Sequence, residues 1–144
     1  MAADVMSAPV KEVPGPRELS KGKPVEVSSF WAGRPELDKS HITDGNPGTM
    51  WATEEKARSG SVTVDLGQAA TVTGRRLSDA PYGRIRKFDI EVEVGNAWKR
   101  VANGTTIGGA GRVDFDPVTA RRVRLNIREA SDTPTIAEMT VVGE

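Results

Sequence analysis

Apolar and polar residues alternate strictly through much of this chain, and that pattern leaves few folds open to it. In residues 61–67, Val62, Val64 and Leu66 share one face, while Thr63 and Asp65 share the other. Residues 87–94 repeat the pattern, with Phe88, Ile90, Val92 and Val94 on one side and Asp89, Glu91 and Glu93 opposite. Val113 and Phe115 alternate in residues 112–116. Val123, Leu125 and Ile127 do so in residues 121–127, with Arg122, Arg124 and Asn126 facing the other way. Successive side chains of an extended strand point to opposite faces, so a period of two predicts half-buried antiparallel strands. Gly67, Gly83, Gly95-Asn96, Asn103-Gly104, Gly108-Gly109 and Pro117 supply turn chemistry between them. No window of a dozen residues carries a helical stripe. The expected architecture is all-β: an antiparallel β-sandwich or jelly roll of about eight strands.

The length of 144 residues fits one domain. Residues 1–20 lack apolar periodicity and contain Pro9, Pro14 and Pro16, so they read as a linker or flexible lead-in. The globular pattern is expected over 21–144. The N-terminal residues have no basic stretch followed by an apolar run, so they do not read as a signal peptide. No apolar run approaches the ~18 residues of a membrane span.

Composition removes several functions. The 20 Lys and Arg balance the 20 Asp and Glu, which argues against a nucleic-acid partner. With no cysteine, there are no disulfides, thiolate metal sites or cysteine nucleophiles. With a single histidine, His41, a zinc site built on paired histidines is excluded.

Antiparallel sandwiches carry function on their end loops, and three loops stand out: residues 29–50, 51–61 and 78–85. The first contains His41-Ile42-Thr43-Asp44-Gly45-Asn46-Pro47-Gly48-Thr49. Asp44 brings a carboxylate, Thr49 a hydroxyl and the tight turn several carbonyls, a donor set suited to a hard cation such as Ca²⁺. A plain Asx turn fits the same composition, and the residues alone leave both readings open. The spacing is not that of an EF-hand.

The order of motifs resembles a known family. Gly22-Lys23-Pro24-Val25, Ser28-Ser29, residues 44–51 (DGNPGTMW), residues 61–67 (SVTVDLG) and residues 135–138 (TIAE) resemble the coagulation factor 5/8 type C domain, also called the discoidin or galactose-binding-like fold. Its bacterial members include the family 32 carbohydrate-binding modules, and the resemblance covers about residues 20–143. The second half, through GTTIG, PVTAR and TPTIAE, is most similar to the C-terminal domain of family 29 α-L-fucosidases. The resemblance implies a structural calcium. Carried over by position, the ligands are the His41 carbonyl, the Asp44 carboxylate, the Asn46 carbonyl, Thr49, the Ala137 carbonyl and the Glu138 carboxylate.

Sugar recognition needs an aromatic face and planar polar groups. The end-loop candidates are Trp31, Arg34, Glu54, Arg58, Tyr82 and Arg84. Packing against the core is the alternative for Trp31, and a solvated turn or strand for Glu54, Arg84 and Arg86. Trp51 reads as a core residue and Trp98 as an edge cover. Galactose-binding relatives often use a loop histidine, whereas His41 here falls in the cation-type loop.

These readings imply a non-catalytic carbohydrate-binding module, the accessory domain of an exported bacterial α-L-fucosidase, acting as an extracellular or periplasmic monomer. Its partners would be a galactosyl- or fucosyl-containing glycan and the parent's catalytic domain. The alternative is a structural, interdomain module with no glycan of its own. In that case Asp89, Glu91 and Glu93, with Arg121, Arg122, Arg124 and Arg128, could form a polar docking face. The end loops are too polar for a membrane surface, and no carboxylate pair frames a cleft for hydrolysis.

Overall fold

The computed structural model describes residues 17–108 and 111–144. Nine strands follow one another there: β1 Arg17–Glu18, β2 Val25–Val27, β3 Trp51–Ala52, β4 Gly60–Ser78, β5 Ile85–Val94, β6 Ala97–Gly104, β7 Gly111–Ala130, β8 Thr135–Ile136 and β9 Glu138–Gly143. All the pairings are antiparallel. A seven-stranded sheet runs β1-β9-β4-β7-β5-β6, with β2 also on β4, and β3 and β8 form a separate ribbon.

The two long strands, β4 and β7, pair along most of their length and bend together. Their register runs from Gly60↔Ile127 to Asp65↔Arg122, breaks, and resumes at Ala70↔Ala120. Gly67 sits in that break at φ +87°, and its N–H closes onto Asp65 Oδ1 at 2.8 Å. A second break falls between Val72 and Gly74, opposite the unpaired stretch 115–117. Pro117 has no N–H to donate, and a bulge is where a strand tolerates it. Gly67 and Pro117, expected to end strands, therefore bend them. The first arm of β4 lies with β2 and the far end of β7. The second arm lies with β9 and the near end of β7. One sheet thus supplies both layers of the expected antiparallel sandwich.

The inward positions match the alternation. Val62, Val64, Ile90, Val92, Val123 and Leu125 are fully buried, and Met139, Val141 and Leu77 face them from the second layer. Each such side chain contributes roughly 1.5–3 kcal/mol on burial. Trp51 is fully buried, and its Nε1–H donates to the Ser29 carbonyl at 3.2 Å, as expected of a core tryptophan. Arg17–Glu18 pair with the end of β9, and Ser20 is buried with its hydroxyl accepting from Val141 N–H at 2.8 Å. The ordered sandwich thus takes in residues read as lead-in, while residues 1–16 lie outside the described residues.

The outer face of β5 and β7 is a ladder of ion pairs. Arg122 meets Glu93, Arg124 meets Glu91 at 2.7 Å, and Arg128 meets Asp89 at 2.7 Å. Arg124 also stacks on Trp98 of β6, 4.0 Å from the ring centre. Asp89 faces outward as expected but is only 4% exposed. Burial raises its carboxyl, yet hydrogen bonds from Arg128 and Asn126 outweigh burial and hold it below the usual range.

Arg75 breaks the pattern. It is fully buried, and none of its guanidinium nitrogens has a hydrogen-bond partner among the described residues. The bulge after Val72 shifts the phase of β4 and turns Arg75 inward with Leu77. Burial lowers the pKa of its guanidinium to about 9. The folded value lies below the unfolded one, so the burial penalty is complete below pH 9 and relaxes as pH rises toward the ordinary arginine range. Arg75→Met keeps the length and removes the charge. It is expected to stabilise the protein by about 1–4 kcal/mol at pH 7. An unchanged or lower melting temperature would show that the guanidinium finds a partner in solution.

Candidate functional site

The turn that follows β2 is built by its own side chains. Asp38 Oδ2 accepts from Ser40 N–H at 3.0 Å and starts a 3₁₀ segment over Lys39–Thr43. His41 Nδ1 lies 3.0 Å from the Met50 carbonyl, which folds the ring onto the far side of the loop. Buried Thr43 donates its hydroxyl to the Lys23 carbonyl at 3.0 Å. Asp44 follows: Oδ1 accepts from Asn46 N–H at 2.8 Å, and Oδ2 from the Thr49 hydroxyl at 2.6 Å. Gly45 takes φ +77°, which the tight reversal requires.

Glu138, at the start of β9, reaches Asp44 from across the sandwich. The two carboxyls lie close enough to shift each other's titration. The backbone N–H groups of Gly45 and Asn46 lie near the Glu138 carboxyl and favour its charged form. Glu138 Oε1 is buried without a partner among the described residues. Burial first, and then the neighbouring Asp44, push the Glu138 carboxyl up to about 8. Burial also raises Asp44, but the Thr49 hydroxyl, the Asn46 amide and Glu138 outweigh it and hold Asp44 below the usual range. The pair therefore holds one proton between two carboxyls unless a cation takes its place.

His41, Asp44, Asn46 and Thr49 fall in one turn, and Ala137 directly precedes Glu138. The donors are all oxygen, with one carboxyl oxygen orphaned, and that set fits a hard cation. No group of three or more His, Asp or Glu side chains gathers anywhere among the described residues.

The second cluster hangs from the β3–β8 ribbon. The segments after β2, before β4, between β4 and β5, and between β7 and β8 all open on one end of the sandwich. Thr133, 3% exposed, ties three of them together. Its hydroxyl accepts from Lys56 N–H at 2.9 Å, and its carbonyl accepts from Arg84 Nη1 at 3.0 Å. The Arg84 guanidinium carbon sits over the exposed Tyr82 ring, 4.4 Å from its centre. Arg58 pairs with Asp132 at 3.5 Å and donates to the Lys56 carbonyl at 3.3 Å.

Trp31 and Arg34 form a separate pair, 5.5 Å apart, with Arg34 bound to Glu36 at 3.0 Å. Among the described residues no hydrogen bond or stacking contact joins this pair to Tyr82 and Arg84. The link is Ser29, whose hydroxyl accepts from Glu54 N–H at 3.1 Å. The sequence reading missed two residues here. Phe30 is 63% exposed beside Trp31, and its signal was an aromatic pair in a polar loop. Asp132, from the Ser-Asp-Thr-Pro turn, orients Arg58, a role visible only once distant loops meet.

The fold is that of a β-sandwich domain resembling carbohydrate-binding modules. The chain belongs to the F5/8 type C domain family, whose description matches residues 24–140. It is 29% identical over 107 residues to an Oryza sativa subsp. japonica protein named as an alpha-L-fucosidase, covering 73% of this chain and 21% of that one. A Ruminococcus gnavus GH29 fucosidase solved with fucose superposes at a TM-score of 0.80 with 27% identity, over 89% of this chain and 27% of that chain. A chitosan-binding module from a Paenibacillus sp. IK-5 chitosanase/glucanase superposes at 0.79 with 25% identity, over 88% of this chain and 98% of the module. The chain therefore spans about a fifth of the rice protein's length and nearly all of the isolated module's.

The carboxyl pair makes a pH prediction for metal-free protein. Glu138's folded value of about 8 exceeds its unfolded value of 4.5. Its contribution to stability is thus full below pH 4.5 and is lost as pH rises through about 8. In EDTA the melting temperature should fall over that window, and Glu138→Gln should remove the slope. A flat parent profile would rule out the shared proton.

Proposed function

We propose that this chain is a non-catalytic carbohydrate-binding module whose end loops take a sugar unit, and that it serves as the accessory domain of an exported bacterial α-L-fucosidase. The observation that carries the reading is the exposed Tyr82 ring with Arg84 laid over it, flanked by Arg58 and Asp132. A sugar's C–H surface would stack on the ring face that Arg84 does not cover, and the guanidinium N–H groups not used by Thr133 would reach neighbouring hydroxyls. The F5/8 type C family is typically one of non-catalytic binding modules, and such modules of glycoside hydrolases are generally extracellular. Among the described residues, no helix is long and apolar enough to cross a membrane. The relatives named as fucosidases support a fucosyl glycan and a catalytic partner in the parent protein.

Amide chemical-shift titration with fucose, galactose, N-acetylglucosamine and fucosylated oligosaccharides tests this. Saturable shifts should cluster at Arg58, Tyr82, Gly83 and Arg84. Tyr82→Ala should weaken binding about tenfold, or ~1.4 kcal/mol. Shifts absent at millimolar sugar would support the second reading, an interdomain module without its own glycan. What favours that reading is that Arg58 and Arg84 already donate to backbone carbonyls, Arg58 within its own loop and Arg84 to Thr133 of the neighbouring one.

The same proposal places a structural calcium at the turn. Asp44 and Glu138 would supply its carboxylates, with Thr49 and the His41, Asn46 and Ala137 carbonyls completing the shell. The ion would neutralise the pair and brace the fold. Added calcium at pH 8 should raise the melting temperature by several degrees, corresponding to ~1–3 kcal/mol at concentrations well above the dissociation constant. Asp44→Ala and Glu138→Ala should each remove that response. Equal calcium responses in parent and variants would place the ion elsewhere or nowhere.

A further inference from the structure

Beside the end loops, on the outer face of β5, β6 and β7, lies a groove of about 630 Å³. Arg86, Lys87, Asp89, Arg100, Asn103 and Arg128 line it. Behind it, on the inner face, the buried Phe88 ring packs against Gly104. A Cβ on that glycine would stand 2.7 Å from the ring, so only a bare backbone lies this close. Arg86 Nη1 donates to the Gly83 carbonyl at 2.6 Å and ties the rim to the loop of Tyr82 and Arg84.

The cations here are held in place and only partly neutralised. Asp89, 4% exposed, takes Asn126 Nδ2 at 2.8 Å on one oxygen and Arg128 Nε at 2.7 Å on the other. Arg100 approaches the same carboxylate at 3.8 Å. Both arginines still face solvent, with side chains 59% and 48% exposed for Arg100 and Arg128. Four cations therefore stand against two carboxylates, Asp89 and Glu129, in a chain of zero net charge. Further along the face the charges pair one to one, as in Arg122–Glu93 and Arg121–Asp65. The excess is local to the groove.

We propose that this groove binds a sugar unit bearing an oxyanion, a uronate or a sulfate ester, as a subsite next to the end loops. Guanidinium forks match the planar carboxylate and the sulfate oxygens, and a buried acid that fixes their direction lowers the ordering cost of binding. Asn103 and Thr105 offer neutral donors for adjacent hydroxyls. The volume suits a ligand of a few rings, and the polar rim offers a peptide few apolar anchors. The inference rests on the carbohydrate-binding reading of the domain.

The test titrates the labelled chain with an oligogalacturonate, a sulfated disaccharide, the neutral counterpart of each, and a short oligodeoxynucleotide. At least one acidic sugar should shift the amides of Lys87, Arg100, Asn103 and Gly104 saturably, and the neutral counterparts should leave them still. The double variant Lys87→Gln/Arg100→Gln, both exposed positions, should weaken acidic-sugar binding at least tenfold while keeping the parent melting temperature. No groove shifts with either acidic sugar would overturn the proposal. So would a double variant that titrates like the parent, or an oligonucleotide that binds as tightly as the sugars. Neutral sugars moving the Tyr82 loop while acidic ones leave the groove still would sink this subsite and keep the end-loop site. The reverse pattern would keep the groove and sink the end-loop site.

Discussion

The pairing of β4 with β7 is the constraint on which the rest of the molecule depends. Both strands run through both layers, so a single ladder sets the phase of each inner face. A slip of one residue would turn Val62, Val64, Val123 and Leu125 outward and bring Asp65 and Arg124 in. The two breaks in the ladder are where it bends, and each coincides with a residue that cannot serve a regular strand well: Gly67 at positive φ, and Pro117 without an N–H. The loops that matter chemically hang from the ends of this bent pair.

The alternation made the sandwich legible because most of its strands have one wet face and one dry face. Residues 61–67 and 121–127 could be assigned side by side, and the structure pairs Val62 with Leu125 and Val64 with Val123. What stayed illegible was continuity. Gly67 and Pro117 carry the chemistry of turns, and nothing local distinguishes a turn that ends a strand from a bulge that bends one. Arg75 shows the cost. Counting by twos from Val72 places it outside, and only the unpaired residue in the second break brings it in. Asp89 was assigned to the correct face, but its burial under Arg128 and Asn126 depends on a neighbouring strand. Long cationic side chains cover what they pair with.

The candidate site was legible to different depths. The turn of Asp44, Asn46 and Thr49 could be read as oxygen-rich, yet its hydrogen bonds are also those of a self-sufficient Asx turn. The residue that distinguishes the two is Glu138, far away in sequence, and local composition could not supply it. Only the resemblance did. At the end loops the sequence offered Tyr82 and Arg84 as candidates from one short segment, and the structure stacks one on the other. The sequence could not show that Thr133 would gather three loops, or that Trp31 and Arg34 would form a pair of their own.

The β3–β8 ribbon connects these two clusters mechanically. On one side of it, Met50 receives the His41 ring and Ile136 leads through Ala137 to Glu138. On the other side, Thr53 N–H donates to the Pro134 carbonyl at 3.2 Å, and Thr133 holds Lys56 and Arg84. Ribbon pairing amounts to Trp51↔Ile136 and Ala52↔Thr135, too short to be stable alone. It must be held at both ends. Joining Asp44 to Glu138 holds one end, because it fixes the chain just before β3 to the chain just after β8. Whatever neutralises that carboxyl pair, a proton or a cation, therefore also sets how firmly the loops of Arg58, Tyr82 and Arg84 are presented. Loops with so few apolar contacts of their own depend on that distant brace for their pre-organisation.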